Sequence, residues 1–361
     1  MDERRSVSRA RRVVVKIGSR TLASDGAVYA RLAESVDRAR ANGKSVVLVS
    51  SGAIALGVKK LGFSGRPKEM ARLQAAAAAG QSVLMRAYDE AFGARGIAVA
   101  QVLLTHADLA DRTRANNARL ALEALLDARA VPVLNENDSV AVDEIKFGDN
   151  DQLAAMVVPL VSADLLILLS DVDGVLDHRG ARIRVVRDVA TEALPHVTAS
   201  TSSVGTGGMA SKIEAARRAT LAGADVVVAD ARKDEIVDAV LAGEDVGTLF
   251  LASRDRLSAK KHWIAFTLRP RGDIVLDRGA AEAVRTKGKS ILSVGVLGVR
   301  GDFRAGDAVR VLDPDGVEIG RGLARCAASD AARVAGQTKK DLPAELGEFA
   351  VVVHRDELAL T

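Results

Sequence analysis

The sequence predicts an α/β protein, an α/β/α sandwich around a mainly parallel sheet, followed by a small β-rich domain. Three observations carry this. Over the first 250 residues, short runs rich in β-branched residues alternate with Ala-, Leu-, Arg- and Glu-rich stretches of helical spacing. The runs are almost continuously apolar, as strands covered on both faces are. After 255–271 the alternation gives way to short strands separated by Gly/Asp turns.

The strand runs come in the order RVVVKIG (12–18), KSVVLVSSG (44–52), GIAVAQVLL (96–104), AVPVLN (130–135), DLLILLSD (164–171) and DVVVAD (225–230). Helical spacing covers 28–41, 68–92, 115–129, 150–161 and 208–222, and a further helix is expected after SSG at 50–52. The later strands are GDIVLD, SILSVGVLGVRG, GDAVRVL with VEIGRG, and FAVVVHRDEL; DPDG (313–316) is a hairpin turn signal. The expected organisation is a large domain over 1–258, a linker over 259–271 and a small domain over 272–361.

Composition fits a folded chain, with 48% hydrophobic and 27% charged residues. Aromatics make up only 3%, so the core must be aliphatic. The single cysteine, Cys326, excludes an intrachain disulfide framework and a multi-cysteine zinc site. The basic start MDERRSVSRARR precedes only VVV before Lys16, which is not the pattern of a signal peptide. No run of about 18 apolar residues is present to form a membrane helix, and a cytoplasmic location is the expectation. The net charge is +4, yet residues 272–361 hold 13 Lys and Arg against 14 Asp and Glu. The positive excess therefore lies before residue 272, where an anionic small ligand explains it as well as nucleic acid does.

The polar residues that interrupt this pattern gather at strand ends. Lys16 closes the first apolar strand, on the side where open α/β sheets bind ligands. Ser50, Ser51 and Gly52 end the second strand ahead of a helix, a place for an N-cap or for an anion on free backbone N–H groups. Ser170 and Asp171 end the strand at 164–171, before a turn at Asp173-Gly174. In VGTGGMASKIEAARRA (204–219), glycines lead into a helix that carries Lys212 early, the parts of a phosphate cradle. Neither the Walker A nor the Rossmann fingerprint is present. The segment 135–155, NENDSVAVDEIKFGDNDQLAA, holds three asparagines and six carboxylates. Helix capping needs one of Asp149, Asn150 and Asp151, not all three. Together these describe a bipolar site: lysines for phosphates, amides and acids for a ligand resembling an amino acid.

The motifs VVKIGSRTL (14–22), VSSGAIALG (49–57), VLNENDSVAVDEIKFGDNDQLAA (133–155), LLSDVDGVLD (168–177) and VGTGGMASKIEAA (204–216), with VVVHRDEL near the end, resemble the glutamate 5-kinase family of the amino acid kinase superfamily with a C-terminal PUA domain. The resemblance runs over essentially the whole chain. It implies ATP-dependent phosphorylation of the L-glutamate side chain to L-glutamyl 5-phosphate, the first step of proline biosynthesis, with ATP and Mg²⁺ as cofactors and proline as inhibitor. Carried over position by position, Lys16, Lys212 and Asp151 are the catalytic set, Asp151 orienting the two lysines. Ser51, Gly52, Asn135, Asp138 and Asn150 hold glutamate. Lys16, Ser170 and Asp171 contact ATP, and Thr206, Gly207, Gly208, Met209, Ala210, Ser211 and Lys212 cradle it; no residue is assigned as a direct metal ligand. A homo-oligomer (dimer or tetramer), a glutamyl phosphate reductase as downstream partner and RNA at the PUA-like domain are further implied partners, and no membrane is. Two departures stand out: Ser19-Arg20 replaces a common Thr-Ser pair, and Leu176-Asp177 stands where a tyrosine is usual. Two other readings remain open on the residues alone, a relative acting on another acceptor (aspartate, acetylglutamate, carbamate or uridylate) and an RNA-binding protein.

Overall fold

The computed structural model describes residues 3–24, 26–140, 150–196, 208–253 and 257–360. The chain divides into two compact units, Met1–Arg256 and Leu257–Thr361. The first is built on an eight-stranded sheet. Its strands are β1 (Arg12–Ile17), β2 (Ser45–Ser50), β3 (Val99–Leu104), β4 (Val131–Glu136), β5 (Leu165–Ser170), β6 (Val185–Val186), β7 (Asp225–Asp230) and β8 (Thr248–Phe250). They lie in the order β3-β4-β2-β1-β5-β7-β8-β6. All pairings are parallel except β7 with β8. The helices that matter here are α1 (Ala27–Ala41), α2 (Ala53–Lys60), α3 (Met70–Gly93), α4 (Arg112–Asp127), α5 (Asn150–Leu160) and α6 (Met209–Leu221). The expected sandwich and its mainly parallel sheet are therefore present; β6 and β8, of two and three residues, were too short to stand out in the sequence.

Two apolar cores, one on each sheet face, follow from the alternation of side chains along each strand. Val13, Val15 and Ile17 of β1 join Leu48 of β2, Leu84 and Tyr88 of α3 and Val36 of α1. Val14 joins Val49, Leu153 and Val157 of α5 and Ile213 and Ala216 of α6 on the other face. Lys16 has the parity of Val14, so the strand delivers its side chain to the face covered by α5 and α6. Asn135 and Ser50 have the opposite parity and meet α3.

Helices α2 and α3 cross at backbone contact. A Cβ added at Gly57 would lie 1.7 Å from the carbonyl oxygen of Ala76, and one at Gly80 1.7 Å from that of Ala53. No side chain can give way there, because the obstacles are main-chain atoms. This fixes the start of α2 against the middle of α3.

The second unit carries a five-stranded sheet of β9 (Gly272–Leu276), β11 (Val296–Gly301), β12 (Ala308–Leu312), β13 (Glu318–Leu323) and β15 (Leu358–Leu360), ordered β11-β9-β12-β13-β15, and a separate pair, β10 (Ile291–Leu292) with β14 (Val351–Val353). The DPDG turn joins β12 to β13 as an antiparallel hairpin, with Gly316 at φ +83°. Helices α8 (Arg278–Lys287) and α9 (Ala328–Val334) were not apparent in the sequence, and a shorter helix of the first unit, α7 (Ile236–Ala242), was not either. Among the described residues no helix is long and apolar enough to cross a membrane.

Gly80→Ala should lower the unfolding free energy by about 1–3 kcal/mol or more, since the added methyl must displace backbone. Gly93→Ala, at the end of the same helix with open space around its Cβ, should be neutral or gain up to about 1 kcal/mol. Urea titration of both variants checks this; equal effects would refute the close-crossing account.

Candidate functional site

The carboxyl ends of β4, β2, β1 and β5 are neighbours, and the chain reverses its direction of winding at β1. Open α/β sheets form a crevice at such a point. Here it is a cavity of about 170 Å³, lined by residues that include Lys16, Gly18, Ser19, Arg20, Ser51, Gly52, Asn135, Glu136, Asp138, Asn150, Ser170, Asp171 and Lys212.

At its base three charges are buried together. Asp151 is fully buried; Lys16 and Lys212 are 6% and 5% exposed. Lys16 Nζ lies 2.6 Å from Asp151 Oδ1, and Lys212 Nζ donates to Oδ2 at 2.9 Å. Burial alone would push the Asp151 carboxyl up. The charges of Lys16 and Lys212, with hydrogen bonds from both, outweigh burial and hold it below the ordinary carboxylate range. Each partner comes from a different element: β1, the first turn of α5 and the first turn of α6.

Asn150, one residue before Asp151, faces the strand ends instead. Its Nδ2 contacts Ser50 O at 3.0 Å, Ser51 Oγ at 2.9 Å and Asn135 Oδ1 at 3.0 Å. Its own Oδ1 is buried and accepts no hydrogen bond among the described residues. Gly52 holds φ +103°, a left-handed conformation that suits glycine, and starts α2 at the cavity wall. At the opposite wall Ser170 Oγ donates to Asp171 Oδ1 at 3.2 Å, and Arg20 forms an ion pair with Asp171. Burial would raise the Asp171 carboxyl; its backbone N–H, Arg20 and Ser170 together hold it low.

Nine of the residues singled out in the sequence thus line one cavity: Lys16, Ser51, Gly52, Asn135, Asp138, Asn150, Ser170, Asp171 and Lys212. Asp151 lies beneath it. Gly208 is the N-cap of α6, and Met209, Ala210 and Ser211 form its first turn; these four do not line the cavity itself. Thr206 and Gly207 lie outside the described residues. Arg66, Thr21, Ile54 and Glu136 also line the cavity and had not been singled out. Arg66 sits in an unremarkable Gly-Arg-Pro loop, whereas Glu136 was part of the acid-rich 135–155 segment.

The low carboxyl of Asp151 fixes a sign. A depressed folded-state value contributes stability that is complete above the unfolded value of about 3.9 and is lost as pH falls through the folded one. Asp151→Asn removes the carboxylate that neutralises two buried ammonium groups and should cost about 3–5 kcal/mol at pH 7. Its deficit relative to the wild type should shrink below about pH 4. Denaturant unfolding from pH 3 to 7 checks this, and a deficit independent of pH would refute it.

Residues 11–230 match the model of the Amino acid kinase family, and residues 272–346 match that of the PUA domain. The chain is similar along its whole length to proteins named glutamate 5-kinase. It is 44% identical to that of Trichlorobacter lovleyi over 98% of both chains. It is 46% identical to that of Myxococcus xanthus over 99% of this chain and 98% of the relative, and 44% identical to that of Pseudomonas putida over 99% and 100%. With two buried lysines on one aspartate at the mouth of a parallel sheet, and with these matches, the chain belongs to the amino acid kinase family, in the group of the glutamate 5-kinases.

Proposed function

We propose that the chain transfers the terminal phosphoryl group of ATP to the side-chain carboxylate of L-glutamate, giving L-glutamyl 5-phosphate and ADP, the first step of proline biosynthesis. The observation that carries this reading is a single cavity with two chemically distinct halves: paired lysines on a buried aspartate, and amides with carboxylates beside them.

The acceptor carboxylate, with a pKa of about 4.3, is already a nucleophile at neutral pH. No general base is required, and Asp151, engaged by two lysines, is not free to serve as one. The work left to the protein is positioning and charge neutralisation. Lys16 and Lys212 point ammonium groups at the region of the transferring phosphoryl group; Asp151 keeps them there without a reorganisation step. The glycine-led N-terminus of α6 and the Ser170–Asp171 corner are suited to the rest of the nucleotide. On the other side, Asn150 Oδ1 offers an acceptor to an ammonium, Asp138 offers a negative charge, and Ser51 with the start of α2 offers donors to a carboxylate. A divalent cation, Mg²⁺ in this reading, would offset phosphate charge when bound. It would be held mainly by phosphate oxygens and water.

The decisive assay is ADP release with ATP and Mg²⁺, offering L-glutamate, L-aspartate, N-acetylglutamate and UMP separately, with hydroxylamine to trap an acyl phosphate. Glutamate-specific release with matching hydroxamate is expected; turnover with another acceptor alone would overturn the substrate. Lys16→Ala and Lys212→Ala should each lower kcat at least about tenfold, a loss of roughly 1.4 kcal/mol of transition-state stabilisation. Asp138→Ala should raise the apparent KM for glutamate more than that for ATP, and an unchanged glutamate KM would remove Asp138 from the acceptor site.

A further inference from the structure

Behind the acceptor half of the cavity lies a chain of side-chain amides. Gln81, in the middle of α3 and 8% exposed, accepts from Asn135 Nδ2 through Oε1 at 2.9 Å. Asn135, 2% exposed, accepts through Oδ1 from Asn150 Nδ2 at 3.0 Å and from the Glu136 N–H at 2.9 Å. On its far side Gln81 Nε2 reaches Gln101 Oε1 at 3.4 Å, on the exposed edge strand β3. Two turns along the same face of α3, Tyr88 OH lies 2.9 Å from Ser50 Oγ. Ser50 in turn supplies the carbonyl that takes an Asn150 hydrogen.

An amide side chain is nearly symmetric in shape, so its hydrogen-bond partners decide which end presents oxygen. Two backbone groups, the Glu136 N–H and the Ser50 carbonyl, set the sense of Asn135 and Asn150. Gln81 supplies the remaining tie. Without its acceptor, a buried Asn135 N–H has lost its partner, a loss that costs about 1–3 kcal/mol and that a shift of the side chain toward another acceptor would relieve. Such a shift draws Asn135 Oδ1 away from Asn150 Nδ2 and loosens the orientation of the Asn150 amide, a residue of the cavity lining whose Oδ1 has no partner among the described residues. The close crossing at Gly80, the neighbour of Gln81, denies the backbone of α3 the freedom to compensate.

We infer that Gln81 is a positioning residue for the acceptor, acting through Asn135 to hold Asn150 Oδ1 ready for the ammonium group of the bound amino acid. The inference rests on the acceptor site proposed above. It predicts selectivity for the amine: glutarate keeps both carboxylates of glutamate but has no ammonium to place.

The test uses the full-length enzyme and two variants, Gln81→Met, which keeps bulk and loses the acceptor, and Gln81→Glu, which keeps the acceptor. In Gln81→Met the KM for L-glutamate should rise about tenfold or more, while the KM for ATP and the inhibition constant of glutarate stay within about twofold. In Gln81→Glu the glutamate KM should return to within about threefold of wild type. An unchanged glutamate KM in Gln81→Met overturns the inference. So does an equal weakening of glutamate, glutarate and ATP, which marks a merely structural residue. Failure of the wild type to use glutamate overturns the proposed activity instead. In that case hydrogen exchange at the Asn135 side-chain amide, followed by NMR, decides the positioning role. Faster exchange in Gln81→Met than in wild type supports it, and equal rates overturn it.

Discussion

The site depends on one carboxylate shared by two buried lysines. Asp151 has no exposed surface, and neither ammonium group has more than a sliver. None of the three charges is stable there alone, because removal from water costs several kcal/mol per ion. Together they tie β1, α5 and α6 into one geometry. One net positive charge remains, at the base of a cavity whose ligand, by the proposed reading, is strongly anionic. The arrangement is thus balanced for the loaded state as much as for the empty one.

The start of α5 divides the labour between adjacent residues. Asp151 turns toward the lysines and Asn150 toward the ends of β2 and β4, about 100° apart around the helix as successive residues are. One helix N-terminus therefore serves both halves of the cavity, and the distance between the two halves is set by a single peptide unit. Helix α3 backs the amide half from the opposite sheet face, through Gln81 and Tyr88.

Much of this was legible in the sequence. The strands stood out because continuous apolar runs between helical stretches have few other readings; Lys16 and Lys212 stood out against an apolar strand and a glycine-led helix start, and Asn150 and Asp151 because capping one helix does not need three polar residues in a row. What the sequence did not reveal was their mutual arrangement. Nothing local to Lys16 shows that its strand parity sends it to α5 and α6 and not to α3. Gln81 was invisible for a related reason: in QAAAAAGQSVL it is an ordinary helix former, and only the register of α3 against β4 gives it a partner. Arg66 lacks any local signal. The helices α8 and α9 were overlooked because they are short and lie among strand-like runs, where turn residues dominated the reading.

The contact of Gly57 and Gly80 with main-chain atoms bears on how this cavity can diverge. Widening a pocket by sliding its wall is a common evolutionary route to new substrates. Here the wall is the start of α2, and its position is set by a contact that leaves no atom to trim. Variation in acceptor size must then come from side chains at the rim, Ile54, Arg66 and Asp138 among them, while the backbone stays in place. Such a scaffold admits changes in chemical preference more readily than changes in volume.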